Sequence, residues 1–405
     1  MARRRLPRPA ELRELLRPAP IRLDPAERRL ARAASIADLR ALAQRRVPRA
    51  VFDFTDGAAG VGELALRRAR ETFRRVEFHP SALRDVSRVS AETTILGKPS
   101  AQPFAFAPTG LTRMMHTDGE RAVVAVAERA GIPFALSTMG ATTIEDAAAA
   151  GPGARKWFQL FLWRDRGPAK DLIDRAAAAG YDTLVLTVDT PVAGSRLRDV
   201  HNGLTVPLQL TLRTFVDGAL HPRWWFDLLT TEQLTFANLT SSTGSVAGQI
   251  DRVFDPAVTM ADLDWLRGYW RGKLVVKGIL SVSDAERVVD AGADGVLLSS
   301  HGGRQLDRAP VPFELVPAVR QTLDGRADIL VDTGFTTGAD IVAALALGAQ
   351  AVLVGRAFLY GLMAGGQRGV TRAVEILSRE IVQTMALLGV SSVTELHPGH
   401  VSLRT

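Results

Sequence analysis

The segment best suited to chemistry is Ser299-Ser300-His301-Gly302-Gly303-Arg304, a histidine between two serines and two glycines with an arginine three residues on. A neutral imidazole takes up a proton near pH 7. The guanidinium of Arg304 can grip a carboxylate with two parallel hydrogen bonds. Asp189, in Thr187-Val188-Asp189, could orient the imidazole and stabilise its cation; the competing reading is a structural His–Asp hydrogen bond.

These residues must be held by a larger frame, and short apolar runs supply it. They are Phe104–Ala107, Pro133–Ser137, Trp157–Leu160, Thr183–Thr187, Leu274–Val276, Gly295–Ser299, Ile329–Val331 and Ala351–Val354, alternating with helical patterns. Continuous apolar runs between helices imply parallel strands covered on the outside. Eight such units favour a closed (β/α)₈ TIM barrel over an open doubly wound sheet. The gap from Thr187 to Leu274 carries an insertion, about residues 195–272, with His221-Pro-Arg-Trp-Trp-Phe226 and a polar stretch, Ser241–Gln249. It leaves from the strand ends where barrel active sites lie, so it reads either as a lid or as a segment packed on the barrel through Trp224 and Trp225.

Polar residues cluster at the ends of all eight runs: Pro108-Thr109-Gly110, Ser137, Gln159, Thr187 with Asp189, Lys277, Ser299 with His301, Asp332 with Gly334, and Gly355-Arg356. One polar strand end can be a satisfied core group, but a full ring implies a single large polar ligand. The loops after strands 7 and 8 of barrels often bind phosphate, and Asp332-Thr-Gly334 and Gly355-Arg356 suit that task. Lys277 is either an ion pair at the barrel mouth or a cation set against the ligand. Beside a flavin it would stabilise the negative charge that develops on reduction. No dinucleotide fingerprint is present, so FMN is expected rather than FAD.

The 405 residues, 46% hydrophobic, suit one large barrel, and the absence of cysteine excludes disulfides and thiolate metal sites. No metal is expected. Residues 1–35 read as a basic, partly disordered arm and 36–400 as the barrel domain, its first segment 36–54 helical and interrupted at Pro48. The net charge of +7 is spread out, densest at Arg3–Arg5 with Arg28, Arg29 and Arg32. That run is a solvated arm or a contact with an anionic membrane surface. Nucleic acid is not expected, because basic and aromatic residues do not interleave. There is neither a secretory h-region nor an apolar run of spanning length. The expected location is cytoplasmic, with a peripheral contact on the inner face of the membrane as the finer alternative.

The stretches Ala107-Pro-Thr-Gly110, Leu186-Thr-Val-Asp-Thr-Pro191, Lys277-Gly278, Ser299-x-His-Gly-Gly-Arg-Gln-Leu-Asp307 and Leu345-Ala-Leu-Gly-Ala349 through Gly355-Arg356 resemble the FMN-dependent 2-hydroxy acid dehydrogenases and oxidases. That family includes glycolate oxidase, flavocytochrome b2, mandelate dehydrogenase and bacterial L-lactate dehydrogenase. The resemblance runs over about residues 36–400, and Pro222–Leu229 is similar to a stretch of the actinobacterial, quinone-type L-lactate dehydrogenase branch. It implies oxidation of an L-2-hydroxy acid to the 2-oxo acid, with quinone or oxygen as acceptor, in a homotetramer. By position, His301 becomes the base, Asp189 its support, and Arg304 and Arg196 the carboxylate ligands. Pro108, Thr109, Gly110, Ser137, Gln159, Thr187, Lys277 and Ser299 become flavin contacts. Asp332, Gly334, Gly355 and Arg356 meet the phosphate. Glycine at 110 leans toward a non-oxygen acceptor.

Four departures stand out. Phe54 and Phe161 occupy positions where the family carries substrate-facing tyrosines. Ser300 replaces an asparagine. The usual arginine after Asp-x-Gly is missing, with Phe335-Thr336 in its place. Loss of both tyrosine hydroxyls suggests a substrate larger or more apolar than lactate. The alternative is a specialised biosynthetic FMN oxidoreductase, with altered substrate or an oxidative decarboxylation, on the same scaffold.

Overall fold

The computed structural model describes residues 5, 8–15, 24–163, 165–203, 218–239 and 255–404. Eight parallel strands close into a barrel in chain order: β1 (Phe104–Phe106), β2 (Phe134–Ser137), β3 (Lys156–Leu160), β4 (Thr183–Thr187), β5 (Lys273–Ile279), β6 (Gly295–Leu298), β7 (Asp328–Val331) and β8 (Ala351–Val354), which pairs back onto β1. The expected TIM barrel is present, and each apolar run coincides with a strand to within a few residues.

The runs lack alternation because both faces of every strand are buried. Ala105, Ala135, Trp157, Val185, Val275, Leu297, Leu330 and Leu353 form the inner cluster. Their neighbours Phe106, Leu136, Phe158, Leu186, Val276, Leu298, Val331 and Val354 join the outer core beneath the helices. Trp157 is fully buried inside, and small Ala105, Ala135 and Ala351 leave it room. A hairpin, Thr93–Ile95 with Lys98–Ser100, plugs the bottom. It sends Ile95 and Leu96 into the inner cluster, and the Leu96 N–H donates to Asp328 at the start of β7 (2.6 Å). The other mouth is left for function.

The N-terminal segment breaks where Pro48 predicts: one helix spans Ile36–Arg46 and the next Arg49–Asp56. Ser35 and Asp38 form a capping box on the first. Within the basic arm, Pro25–Arg32 is a helix capped by Asp24, and its Leu30 is buried. These helices lie along the helical segment Arg356–Leu388, which bends at Gly365–Gly366. Gly366 has φ +58, and a Cβ there would sit 2.4 Å from Asp118 Oδ2, so the bend needs glycine.

The insertion divides. Helix Pro222–Leu229 docks beside the loop after β1, where Trp224 Nε1 donates to the Met114 carbonyl (2.9 Å). Its tryptophans do not line the central cavity, and Trp224 packs against the barrel. Residues 234–239 instead fold over the β2 loop: Asn238 accepts from the Ile144 N–H (3.0 Å), and Phe236 reaches the cavity wall. The polar stretch Ser241–Gln249 lies outside the described residues. No described helix is long and apolar enough to cross a membrane.

Candidate active site

At the C-terminal mouth, all eight strand ends send residues to one cavity of about 300 Å³. That is within the range of small-molecule sites, roughly 300–1,000 Å³. Pro108, Thr109 and Gly110 come from β1, and Ser137, Gln159, Thr187 and Lys277 from β2 to β5. His301, Asp332 with Gly334, and Gly355 with Arg356 complete the ring. Ser137 Oγ donates to Gln159 Oε1 (2.8 Å), and Gln159 Nε2 donates to Thr187 Oγ1 (3.0 Å). These bonds tie three strand ends into one polar wall.

His301 follows β6 in a left-handed turn. It has φ +56, and Gly302 (φ +66) and Gly303 (φ +74) continue in the same region. A Cβ at Gly303 would lie 2.9 Å from the Leu66 N–H nitrogen, so the paired glycines are dictated by both conformation and contact. The turn aims the imidazole at Asp189, with Nδ1 3.0 Å from Oδ1. Asp189 accepts there, so Nδ1 carries the proton and Nε2 is the free acceptor. Gly278 makes this approach possible, since a Cβ on it would come within 2.6 Å of Asp189 Cβ.

Burial pushes the His301 pKa below its ordinary value, Lys277 adds to this, and Asp189 partly opposes it. Burial alone would raise the Asp189 carboxyl, but Lys277 and His301 hold it below its ordinary value. Lys277 Nζ donates to Ser299 Oγ (3.0 Å) and sits 3.9 Å from Asp332 Oδ2 and 4.0 Å from Asp189 Oδ2.

Ser299 sits one step behind these residues. It does not line the cavity. Its Oγ accepts from Lys277 and from the His301 N–H and donates to Asp332 (2.9 Å). It positions Lys277 and the histidine turn. Asp189 is likewise behind the wall, as a support for the imidazole must be.

Arg304 and Arg196 meet over one ring, their guanidinium carbons 4.9 and 5.4 Å from the Phe54 centroid. Both line the cavity, as does Phe161, buried beside β3. Arg304 also donates to the carbonyls of Phe54 and Gly57. Burial first, and then Arg196 and Arg356, depress its pKa. Such a group gains from any anion placed beside it. Arg196 is more open and pairs with Asp199 (3.3 Å).

The motif around His301 also holds its neighbours. Gln305 Oε1 accepts from the Gly194 N–H (3.1 Å), and Asp307 accepts from the Ala65 N–H (2.8 Å) at the start of helix Leu64–Arg74. That helix brings Leu66 and Arg70 to the cavity, and Met139, Thr190 and Phe236 add to its walls. The sequence reading did not single out any of these five. Arg70 is one of many arginines on an amphipathic helix, and nothing in its local pattern distinguishes it.

A closed barrel with a proton acceptor, an arginine pair and a ring of polar strand ends defines a cofactor-dependent barrel enzyme acting on an anionic substrate. The sequence matches the FMN-dependent dehydrogenase family over residues 43–403, and the chain belongs to that family. It is 56% identical over 399 residues to a putative L-lactate dehydrogenase of Mycobacterium tuberculosis, covering 98% of this chain and 96% of that protein. It is 42% identical to the (S)-mandelate dehydrogenase of Pseudomonas putida, covering 91% and 93%. Among solved structures, the monotopic membrane protein (S)-mandelate dehydrogenase superposes with a TM-score of 0.89 at 40% identity, over 92% of this chain and 100% of that one.

The site fits FMN. Arg356 is a cavity-lining cation whose hydrogen bonds go to the carbonyls of Thr55 and Gly57 (2.9 and 2.7 Å). Lys277 lines the same cavity with its Nζ near neutral and acidic groups alike. These are places for a phosphate and for an electron-rich ring edge.

Proposed function

We propose that this FMN-dependent enzyme oxidises an L-2-hydroxy acid to the 2-oxo acid, with His301 as the base and Arg304 and Arg196 as the carboxylate grip. The observation that carries it is the meeting of His301 Nε2, backed by Asp189, with two arginines stacked on Phe54 at one cavity. When bound, FMN supplies the two-electron acceptor for the C2 hydrogen. Pro108, Thr109, Gly110, Ser137, Gln159, Thr187 and Lys277 would hold its ring and ribityl chain, and Asp332, Gly334, Gly355 and Arg356 its ribityl phosphate end. His301 Nε2 accepts the proton of the substrate hydroxyl, and Asp189 stabilises the resulting imidazolium. Arg304 and Arg196 fix the carboxylate so that the hydroxyl faces Nε2. A quinone-type acceptor is the expected oxidant of the reduced enzyme. A Cβ at residue 110 would lie 3.1 Å from Met139 Cβ, so Gly110 also has a packing reason unrelated to acceptor choice.

The substrate's side chain is bulkier and more apolar than that of lactate. Phe54, Phe161, Met139 and Phe236 line the cavity, and the first two replace hydroxyl-bearing rings with bare ones. The test is anaerobic bleaching of bound flavin across a panel of 2-hydroxy acids. Aromatic or branched acids should bleach it fastest and lactate poorly. Phe54→Tyr with Phe161→Tyr should raise kcat/KM for lactate. One restored hydrogen bond to a charged group is worth about 1.5–3 kcal/mol, roughly 10- to 150-fold. Brisk lactate oxidation by the wild type, unchanged in the double variant, would refute the pocket assignment. No bleaching by any acid in the panel would refute the reaction.

A peripheral contact with an anionic membrane is the finer reading of location. Leu220, Phe226 and Leu229 are exposed on and beside helix Pro222–Leu229. Arg45, Arg46 and Arg223 line a cavity at its foot. Apolar tips next to cations suit a lipid surface. Phe226→Ser with Leu229→Ser should reduce co-sedimentation with phosphatidylglycerol-containing vesicles several-fold while flavin bleaching stays at the wild-type rate. Unchanged sedimentation would exclude this helix as the contact.

A further inference from the structure

The loop after β7 carries no cation of its own. It runs Asp332-Thr333-Gly334-Phe335-Thr336, and Thr336 lines the cavity with an uncharged side chain. Within this wall, Arg356 is therefore the only cation that the loops after β7 and β8 supply. A second one arrives from elsewhere in the chain.

Helix Leu64–Arg74 runs against this corner. A Cβ on Gly334 would lie 3.1 Å from the Phe73 ring and 3.2 Å from Ala69 Cβ, so the helix and the β7 loop are in direct contact. Between those two residues, Arg70 lines the same cavity as Gly334, Thr336, Gly355 and Arg356. Among the described residues Arg70 makes no hydrogen bond and no ion pair. The carboxylate whose field it shares, Asp56, is already taken: Arg40 donates to both its oxygens (2.7 and 2.8 Å), Tyr360 donates to Oδ1 (2.7 Å), and Arg198 to Oδ2 (3.2 Å). Arg356 is committed to backbone carbonyls and has no acidic partner among the described residues. Burial chiefly depresses the Arg356 pKa, and Arg70 adds to this. Two guanidiniums with no acidic group in hydrogen-bond contact, at one cavity corner beside two glycines, form a site suited to a multiply charged anion.

We propose that Arg70 is a ligand of the FMN phosphate, supplying from helix Leu64–Arg74 the second cation that the β7 loop lacks. The inference rests on the FMN reading above. It also gives Asp307 a further consequence: by capping Ala65, Asp307 sets the helix that carries Arg70 against the His301 turn.

The experiment strips flavin from the full-length protein and titrates FMN and riboflavin separately, following quenching of flavin fluorescence. Riboflavin lacks the phosphate, so it separates a phosphate contact from general damage. Arg70→Gln should weaken FMN roughly 10- to 100-fold, the range for a charge-assisted hydrogen bond, and leave riboflavin within about twofold. Thr336→Arg placed on Arg70→Gln should recover most of the lost FMN affinity by returning a cation to the β7 loop. FMN affinity unchanged in Arg70→Gln, or equal losses for FMN and riboflavin, would overturn the proposal. Failure of the wild-type protein to bind either flavin would overturn the FMN reading itself.

Discussion

Replacing His301 with Asn is expected to leave FMN bound and to slow its reduction by substrate by about 10²–10⁴-fold, the usual worth of general base catalysis. The imidazole is reachable from the cavity and its Nδ1 is engaged by Asp189 at 3.0 Å, which leaves Nε2 as the proton acceptor. Asparagine cannot take up that proton, while Lys277, Gln159 and Arg356 keep their places around the cofactor site. The pH profile gives a second reading. Burial and Lys277 lower the His301 pKa from 6.5, so the free enzyme's base is unprotonated at and above that pH. kcat/KM should stay level as pH falls to about 6.5 and drop only as pH passes through the lowered value. Stopped-flow flavin reduction in both proteins measures this. A variant reduced as fast as wild type, or a wild-type acid limb centred well above 6.5, would remove His301 from the role.

Arg304→Met should cost the next largest factor. Removing one partner of a buried, hydrogen-bonded charge pair costs about 2–5 kcal/mol, roughly 30- to several-thousand-fold in kcat/KM. The depressed pKa of Arg304, caused by burial and then by Arg196 and Arg356, marks a cation that the protein leaves short of negative charge. A substrate carboxylate supplies it. Arg196→Met should cost less, because Arg196 is 36% exposed in its side chain and already paired with Asp199. Arg304 also braces the Phe54 and Gly57 carbonyls, so flavin content and melting temperature need to be read alongside the kinetics. A loss under threefold with flavin retained would mean that the carboxylate binds elsewhere. An Arg196→Met loss exceeding that of Arg304→Met would reverse their order.

Much of this was legible in the chain. Strands buried on both faces write themselves as unbroken apolar runs, and a barrel repeats that signal eight times. That is why runs such as Thr183–Thr187 and Ala351–Val354 coincide with β4 and β8 residue for residue. Active sites of this architecture collect at strand ends, so Lys277, His301 and Arg356 could be picked out before any geometry was known. The family resemblance added Arg196, Phe54 and Phe161, and all three line the cavity.

Side-chain direction was not legible. Ser299 is one residue past β6, and sequence spacing does not show that its hydroxyl holds Lys277 and Asp332. Nor does sequence spacing show that the Trp224 Nε1 donates to the Met114 carbonyl. The sequence by itself determined the barrel, the family and the placing of His301 just past a strand end, because these follow from local patterns along the chain. Tertiary structure decided which residues from distant segments share one corner. Arg70 is more than 260 positions from Thr336 and Arg356 in the chain, and only the packing of helix Leu64–Arg74 against the β7 loop brings them to one cavity. No local spacing encodes a contact between segments that far apart, since it depends on how the whole barrel closes.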